Sequence, residues 1–179
     1  MKIRKYKWVI ITLLIVIGIM VMIFLFSNQT RSDSDVVSGF FTKRAVKLYS
    51  FLYNLLPHEA GNGPVISTGH SLYEDLNHYI RKLGHMTEYA VLSAALMAHL
   101  TSIWDVFRDN VYTLPPKAYV LYSTLIATIY AVTDEFHQSF VPGRGPQAKD
   151  VLIDFAGGII GAFILYLIIK KLRKSSDKG

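Results

Sequence analysis

Apolar residues fall in long uninterrupted blocks along this chain, and polar residues are concentrated between the blocks. The first block, residues 8–26, contains no charged residue and follows a short basic segment. A helix of this length rises about 28 Å, close to the roughly 30 Å thickness of a bilayer's hydrocarbon core. The block is longer than the apolar region of a usual signal peptide, and no A-x-A-like cleavage pattern follows it. We therefore predict an uncleaved membrane span.

Three further apolar blocks predict three more spans. They cover about residues 83–104, 118–141 and 151–169. The connections between them are short and contain proline, which is typical of neighbouring antiparallel helices. In the last block, Gly157 and Gly161 form a G-x-x-x-G pair that favours close helix packing. The pattern predicts an all-α membrane protein with four transmembrane helices in a single domain over residues 1–179.

The segment between the first two spans, residues 32–82, has a different pattern. Its apolar residues recur at near-helical spacing from Val36 to Leu55, with three basic residues between them. This spacing is typical of an amphipathic helix on a membrane surface, and we predict such a helix on the extracytoplasmic side. A second short helix is expected to run into the next span, with a bend at Gly84.

Composition and charge narrow the class of protein. The 179 residues are 51% hydrophobic, which fits one small membrane domain. The net charge of +6 comes from lysines and arginines at the ends of the apolar blocks, where they anchor helices, so we predict no nucleic-acid partner. The lack of cysteine excludes disulfides, thiolate nucleophiles and cysteine-ligated metal sites.

The positions of lysine and arginine also predict an orientation. Short basic segments favour the cytoplasmic side, and they occur at residues 2–7 and 170–174, whereas the loop after the third span contains only Arg144 and Lys149. Four spans place both termini on one side of the membrane. We therefore predict a multi-pass cell-membrane protein with both termini in the cytoplasm. The basic residues of segment 32–82 count less, because that segment is expected to lie on the surface.

With this orientation, the polar residues at the ends of the spans fall on the outer side. A charge at the centre of a membrane costs roughly 2.5–3.5 kcal/mol on insertion scales. Several ionisable residues close together therefore indicate a functional or structural role. Residues three or four apart share a helix face, which gives each span one polar stripe. The cluster contains Ser27, Gln29, Lys82, His85, Glu88, Asp134, Glu135, Gln138, Arg144, Asp150 and Asp154.

Two polar stretches closely resemble the VanZ-like family of bacterial integral membrane proteins. They are RKLGHMTEYAVL at residues 81–92 and DEFHQSFVPGRGPQAKDVLIDFAGGIIG at residues 134–161. The family patterns K-x-x-H-x-x-E-Y, D-E-x-x-Q-x-F-x-P-x-R and D-x-x-x-D/N-x-x-G are matched there, and Ser27 and Gln29 match a serine-glutamine feature after the first span. Segment 32–79 departs from the family pattern.

The resemblance implies a fold and a location, together with a role at the cell envelope. The founding member of the family confers low-level resistance to teicoplanin-type glycopeptides, which act on lipid-linked wall precursors at the outer membrane surface. We therefore expect the polar cluster to bind or act on a cell-envelope lipid, a lipid-linked precursor or a wall polymer, with lower susceptibility to teicoplanin as one consequence.

Two sets of roles follow for the cluster. Carboxylates beside a histidine can serve as general base and acid, which makes His85, Glu88, Asp134, Glu135 and Asp150 the candidate catalytic residues. The sequence requires no cofactor, and a divalent cation, if bound, would be held by His85, Glu88, Asp134 and Asp150. The candidate substrate-binding residues are Lys82, Gln138, Arg144, Asp154, Ser27 and Gln29, with Arg144 suited to grip a phosphate.

Several functions stay open at this stage. The protein is a membrane-embedded hydrolase or transferase, or it binds a headgroup without catalysis, or it shields an anionic polymer from a lipid-tailed antibiotic. A transporter or proton relay is less favoured, because the cluster is confined to one leaflet. A purely structural network is the remaining alternative, since polar side chains tie helices together where lipid offers no hydrogen-bond partners. The oligomeric state is open.

Overall fold

The computed structural model describes residues 2–55, 72–107, 115–145 and 147–176. This part of the chain forms five α-helices and no strand. The helices are α1 (Lys2–Ser27), α2 (Arg31–Leu55), α3 (Leu72–Phe107), α4 (Pro116–Gln138) and α5 (Ala148–Ser176). The predicted all-α class is confirmed for the described residues. Residues 56–71, in which the sequence predicts a loop after Pro57, and most of the connection between the second and third predicted spans lie outside the described residues.

Three helices are long and apolar enough to cross a membrane. They are Lys5–Ser27, Leu72–Phe107 and Ala148–Leu172, and they contain the first, second and fourth predicted spans. The third predicted span, residues 118–141, coincides with α4, which ends at Gln138 and is not among the three. Helix α4 is less apolar because it carries several hydroxyl side chains and ends in two carboxylates.

Helix α3 runs without interruption through Gly84, where the sequence predicts a bend. A glycine weakens a helix by only about 1 kcal/mol relative to alanine, and contacts with α1, α2 and α5 offset that cost. At 36 residues the helix is about 54 Å long, well beyond the thickness of a bilayer. The expected short helix before the second span is therefore the first part of α3.

The bundle has an up-and-down arrangement. Lys5 Nζ donates a hydrogen bond to the backbone oxygen of Asp105 (2.9 Å), so the start of α1 meets the end of α3. Tyr130 Oη donates to the backbone oxygen of Met20 (2.7 Å), and α4 therefore runs parallel to α1. Helix α5 runs parallel to α3. The carboxyl ends of α1 and α4, the middle of α3 and the start of α5 consequently meet at one end.

The core lies between α1, α3 and α4. Its buried residues are Val16, Ile23, Tyr89, Leu92, Leu96, Ala127 and Ala131. Helix α5 approaches α3 so closely that a Cβ at Gly157 would collide with the backbone of Met86, and one at Gly161 with the backbone of Ala90. The G-x-x-x-G pair therefore forms the contact between α3 and α5.

Helix α2 packs on the first part of α3 through polar residues. Thr42 Oγ1 donates to Asn77 Oδ1 (2.9 Å), and Arg81 forms an ion pair with Asp35 (2.6 Å). The remaining faces of α2 carry exposed apolar side chains, including Val36 at 75% exposure. The segment predicted as an amphipathic surface helix is therefore helical from Arg31 to Leu55, and polar side chains on one face of it contact α3.

Candidate functional site

The carboxyl ends of α1 and α4 are joined by a buried hydrogen-bond network. Ser27 Oγ donates to Asp134 Oδ2 (2.6 Å), and Gln138 Nε2 donates to the same carboxylate oxygen (3.0 Å) and to Ser27 Oγ (3.1 Å). All three side chains are buried. Asp134 and Gln138 are one helical turn apart on α4, so both reach Ser27 from one face. These three predicted site residues form one unit.

Two further contacts hold the start of α5 and the loop before it. Lys82 on α3 forms an ion pair with Asp150 in the first turn of α5. Glu135 Oε2 accepts a hydrogen bond from the backbone N–H of Gln147 (2.8 Å). Asp150 and Glu135, both candidate catalytic residues, therefore have partners that fix the α4–α5 connection.

Two carboxylate oxygens, one in the middle of α3 and one near the start of α5, have open hydrogen-bonding capacity. His85 Nδ1 lies 3.5 Å from Glu88 Oε2, which forms an ion pair when the imidazole is protonated. Buried Glu88 Oε2 and Asp154 Oδ1 have no hydrogen-bond partner among the described residues. Buried polar atoms are normally satisfied, and open ones are common at binding sites. His85, Glu88 and Asp154 are therefore less constrained than Asp134 and Asp150.

Arg144 is placed by a tight turn. In the sequence Val141-Pro142-Gly143-Arg144, the backbone N–H of Arg144 donates to the oxygen of Val141 (3.1 Å), and Gly143 has φ 77°. Proline at the second position and a positive-φ glycine at the third are typical of a type II turn. The Arg144 side chain is half-buried and forms no hydrogen bond or ion pair with other residues that the structure describes.

The surroundings of Arg144 are strongly charged. Burial, and after it the neighbouring Arg81, lowers the pKa of Arg144, while the carboxylates of Asp134, Glu135 and Glu88 act in the opposite direction. A guanidinium stays protonated throughout the physiological range. Arg144 therefore presents a fixed positive charge whose donors are open to a ligand.

The predicted ligand set for a divalent cation is not assembled. Asp134 is bound by Ser27 and Gln138, and Asp150 by Lys82, so these carboxylates belong to different helix contacts. Within the described ranges, no group of three or more histidine, aspartate or glutamate side chains is arranged to hold a metal ion. A divalent cation held by His85, Glu88, Asp134 and Asp150 therefore stays a prediction from the sequence.

Two adjacent spaces, which share some of their lining residues, open beside these residues. The first, the cationic cleft, has a volume of about 70 Å³ and is lined by Arg81, Lys82, His85, Gln138, Arg144 and Asp150, among others. The second, the α2 groove, has a volume of about 150 Å³ and lies between the end of α1, α2 and α3. Gln29 and Glu88 line this groove.

Sequence reasoning missed the part of the site contributed by α2. Arg81 lines both spaces, and its partner Asp35 also accepts a hydrogen bond from Asn77 Nδ2 (3.1 Å). The available signal was the three- and four-residue spacing of polar side chains along one face of α2, at Asp35, Ser38 and Thr42.

Comparison with known proteins gives one match that covers most of the chain. The family model VanZ-LLP1, described as VanZ/LLP1, matches residues 12–170. The matched range contains every residue of the predicted cluster. No curated protein and no solved structure gives a significant match.

Proposed function

This chain belongs to the VanZ/LLP1 family, and from that premise we propose that its polar cluster binds the anionic headgroup of a cell-envelope lipid or lipid-linked precursor. The family and the three apolar helices make it a multi-pass membrane protein. The observation that carries the proposal is the open guanidinium of Arg144 in a cleft that also contains Arg81 and Lys82.

The proposed topology has four spans and cytoplasmic termini. Helix α4 is proposed to span the membrane in addition to α1, α3 and α5. Its 23 residues are about 35 Å long, and it packs against α3 and α5, which are both apolar enough to cross a membrane. The basic segments at both ends of the chain favour the cytoplasm. The cluster end of the bundle then faces outward, where envelope precursors are exposed.

Helix α2 is proposed to lie on the outer membrane surface. It exposes large apolar side chains such as Phe41, Phe51 and Leu52, each more than half exposed, together with Lys43 and Lys47. Such a helix binds a lipid surface by burying apolar area and attracting anionic headgroups.

Binding is favoured over catalysis by the partners of the candidate acids. Asp134, Glu135 and Asp150 are each held by a structural contact. A catalytic acid and a catalytic base must lie within reach of the substrate, with no structural contact occupying them. Of the five candidate catalytic residues, only His85 and Glu88 line the α2 groove, and both stand beside Arg144 there. This arrangement suits recognition of a charged headgroup.

The proposal is tested by replacing the open guanidinium. In purified protein, Arg144→Gln is expected to weaken binding of phosphatidic acid about tenfold or more, because a charge-assisted hydrogen bond contributes about 1.5–3 kcal/mol. The measurement is the dissociation constant by native mass spectrometry. In cells, the same variant is expected to abolish any decrease in teicoplanin susceptibility that the chain confers.

The matched control is Arg44→Gln. Arg44 is an exposed arginine on α2 that stacks on Phe40 and does not line the cleft. Equal affinity for phosphatidic acid in the wild type and in Arg144→Gln would reject the proposed site.

A further inference from the structure

We propose that the ligand is a phosphate-bearing lipid whose headgroup lies in the cationic cleft and whose hydrocarbon chain begins in the α2 groove. The inference rests on the proposed function and deepens it, because it assigns the headgroup a phosphate and gives the hydrocarbon chain a separate binding place. The two spaces are adjacent, because Arg81, His85 and Arg144 line both. A phosphate held by these residues would therefore lie at the mouth of the groove.

The α2 groove has an apolar part and a polar part, as the binding of an amphiphile requires. Its apolar part comes from three helices, with Phe26 on α1, Val37 and Phe41 on α2, and Ile80 on α3. Its polar part is the junction with the cleft. Binding pockets are typically apolar with a few placed polar groups that fix orientation. A polyol phosphate would leave the apolar wall without a partner, whereas a hydrocarbon chain covers it.

The volumes decide how much of the lipid the protein holds. The cleft of about 70 Å³ and the groove of about 150 Å³ are both smaller than the roughly 300–1,000 Å³ of pockets that enclose a ligand. Val37 and Phe41 are 55% and 56% exposed, so the groove is open at the side. The site therefore holds a phosphate and the start of one chain while the rest of the lipid stays in the bilayer.

Polar contacts with α3 hold α2 as one wall of this site. Arg81 donates to Asp35 (2.6 Å), and Thr42 donates to Asn77 (2.9 Å). Arg81 also lines the cationic cleft, so one side chain joins the headgroup end of the site to the helix that contacts the chain. This explains why α2 has a polar inner face and apolar outer faces.

The test compares two probes that share a phosphate monoester on glycerol and differ in the hydrocarbon. Dioleoyl phosphatidic acid and glycerol 3-phosphate are each titrated onto detergent-purified protein. Val37→Trp fills the groove with a larger side chain. We expect it to weaken the binding of phosphatidic acid at least tenfold and to leave the binding of glycerol 3-phosphate unchanged. Val36→Trp is the matched control. Val36 is the neighbour of Val37 in the sequence, is 75% exposed and does not line the groove.

The outcomes separate this inference from the proposed function. If Val37→Trp and Val36→Trp weaken the binding of phosphatidic acid equally, the proposed place of the hydrocarbon chain in the α2 groove is wrong. The same holds if Val37→Trp weakens the binding of both probes. Arg144→Gln is expected to weaken the binding of both probes. If it changes the binding of neither probe, the headgroup site of the proposed function is wrong as well. Should Val37→Trp fail to fold, Phe41→Ala replaces it, with Phe40→Ala as its control and a several-fold loss of phosphatidic acid affinity as the expected result.

Discussion

At the scale of single residues, the cluster separates into side chains that hold helices together and side chains that remain open. Asp134 and Asp150 are engaged by partners on other helices, through Ser27 and Lys82 respectively. Glu88, Asp154 and Arg144 retain hydrogen-bonding capacity within the described residues. Substitutions in the first group should therefore act mainly on stability, and those in the second mainly on binding.

The Ser27–Asp134–Gln138 network gives a direct test of this division. We expect Ser27→Ala to lower the free energy of unfolding by about 1–3 kcal/mol, because it removes a hydrogen-bond donor from a buried carboxylate. Asp134→Asn keeps an acceptor oxygen for both donors and should cost less. The measurement is thermal unfolding of detergent-solubilised protein, together with its abundance in the membrane.

Ser139→Ala is the control for Ser27→Ala. Ser139 is exposed, and its hydroxyl donates only within its own helix end, to Phe136. If Ser27→Ala unfolds at the same temperature as Ser139→Ala, the network contributes nothing to stability.

At the scale of helices, the contact between α3 and α5 depends on two glycines. A Cβ at Gly161 would collide with the backbone of Ala90, so Gly161→Ala must push the helices apart. We expect a loss of about 1–3 kcal/mol, the usual cost of overpacking. The change is read from the unfolding temperature of the purified protein.

Gly158→Ala is the matched control on the same helix. Its Cβ would make ordinary contacts of 3.6 Å to Thr124 and 3.7 Å to Ser93. Alanine is the better helix former by about 1 kcal/mol, so Gly158→Ala should be neutral or slightly stabilising. A larger loss of stability at Gly158 than at Gly161 would contradict the proposed helix contact.

At the scale of the whole molecule, the proposed orientation places the cluster outside and both termini inside. The chain contains no cysteine, so single cysteines report accessibility without background. Ser139 and Ser175 are both exposed serines, one at the cluster end of α4 and one near the end of α5. In intact cells, a membrane-impermeant maleimide should label Ser139→Cys, and should label Ser175→Cys only after permeabilisation. If Ser175→Cys is labelled in intact cells and Ser139→Cys only after permeabilisation, the proposed orientation is wrong.

The sequence by itself determined the helices and the family. Long apolar blocks and near-helical spacing predict α1, α2, α3 and α5, because these patterns depend only on local geometry and hydropathy. Polar residues that lipid would penalise stand out in such a background. The family motifs in residues 81–92 and 134–161 identify the family from the sequence.

Only the tertiary structure decided which side chains meet. The sequence places Asp134, Asp150, His85 and Glu88 near one end of a bundle, but pairing across helices depends on helix rotation and contact distance. The close approach of α5 at Gly157 and Gly161 sets one of these contacts, and the Pro142–Gly143 turn sets the position of Arg144. The contacts of Asp134 and Asp150 therefore lie on different helix pairs, and the pairing of Arg81 on α3 with Asp35 on α2 could not be read from the sequence.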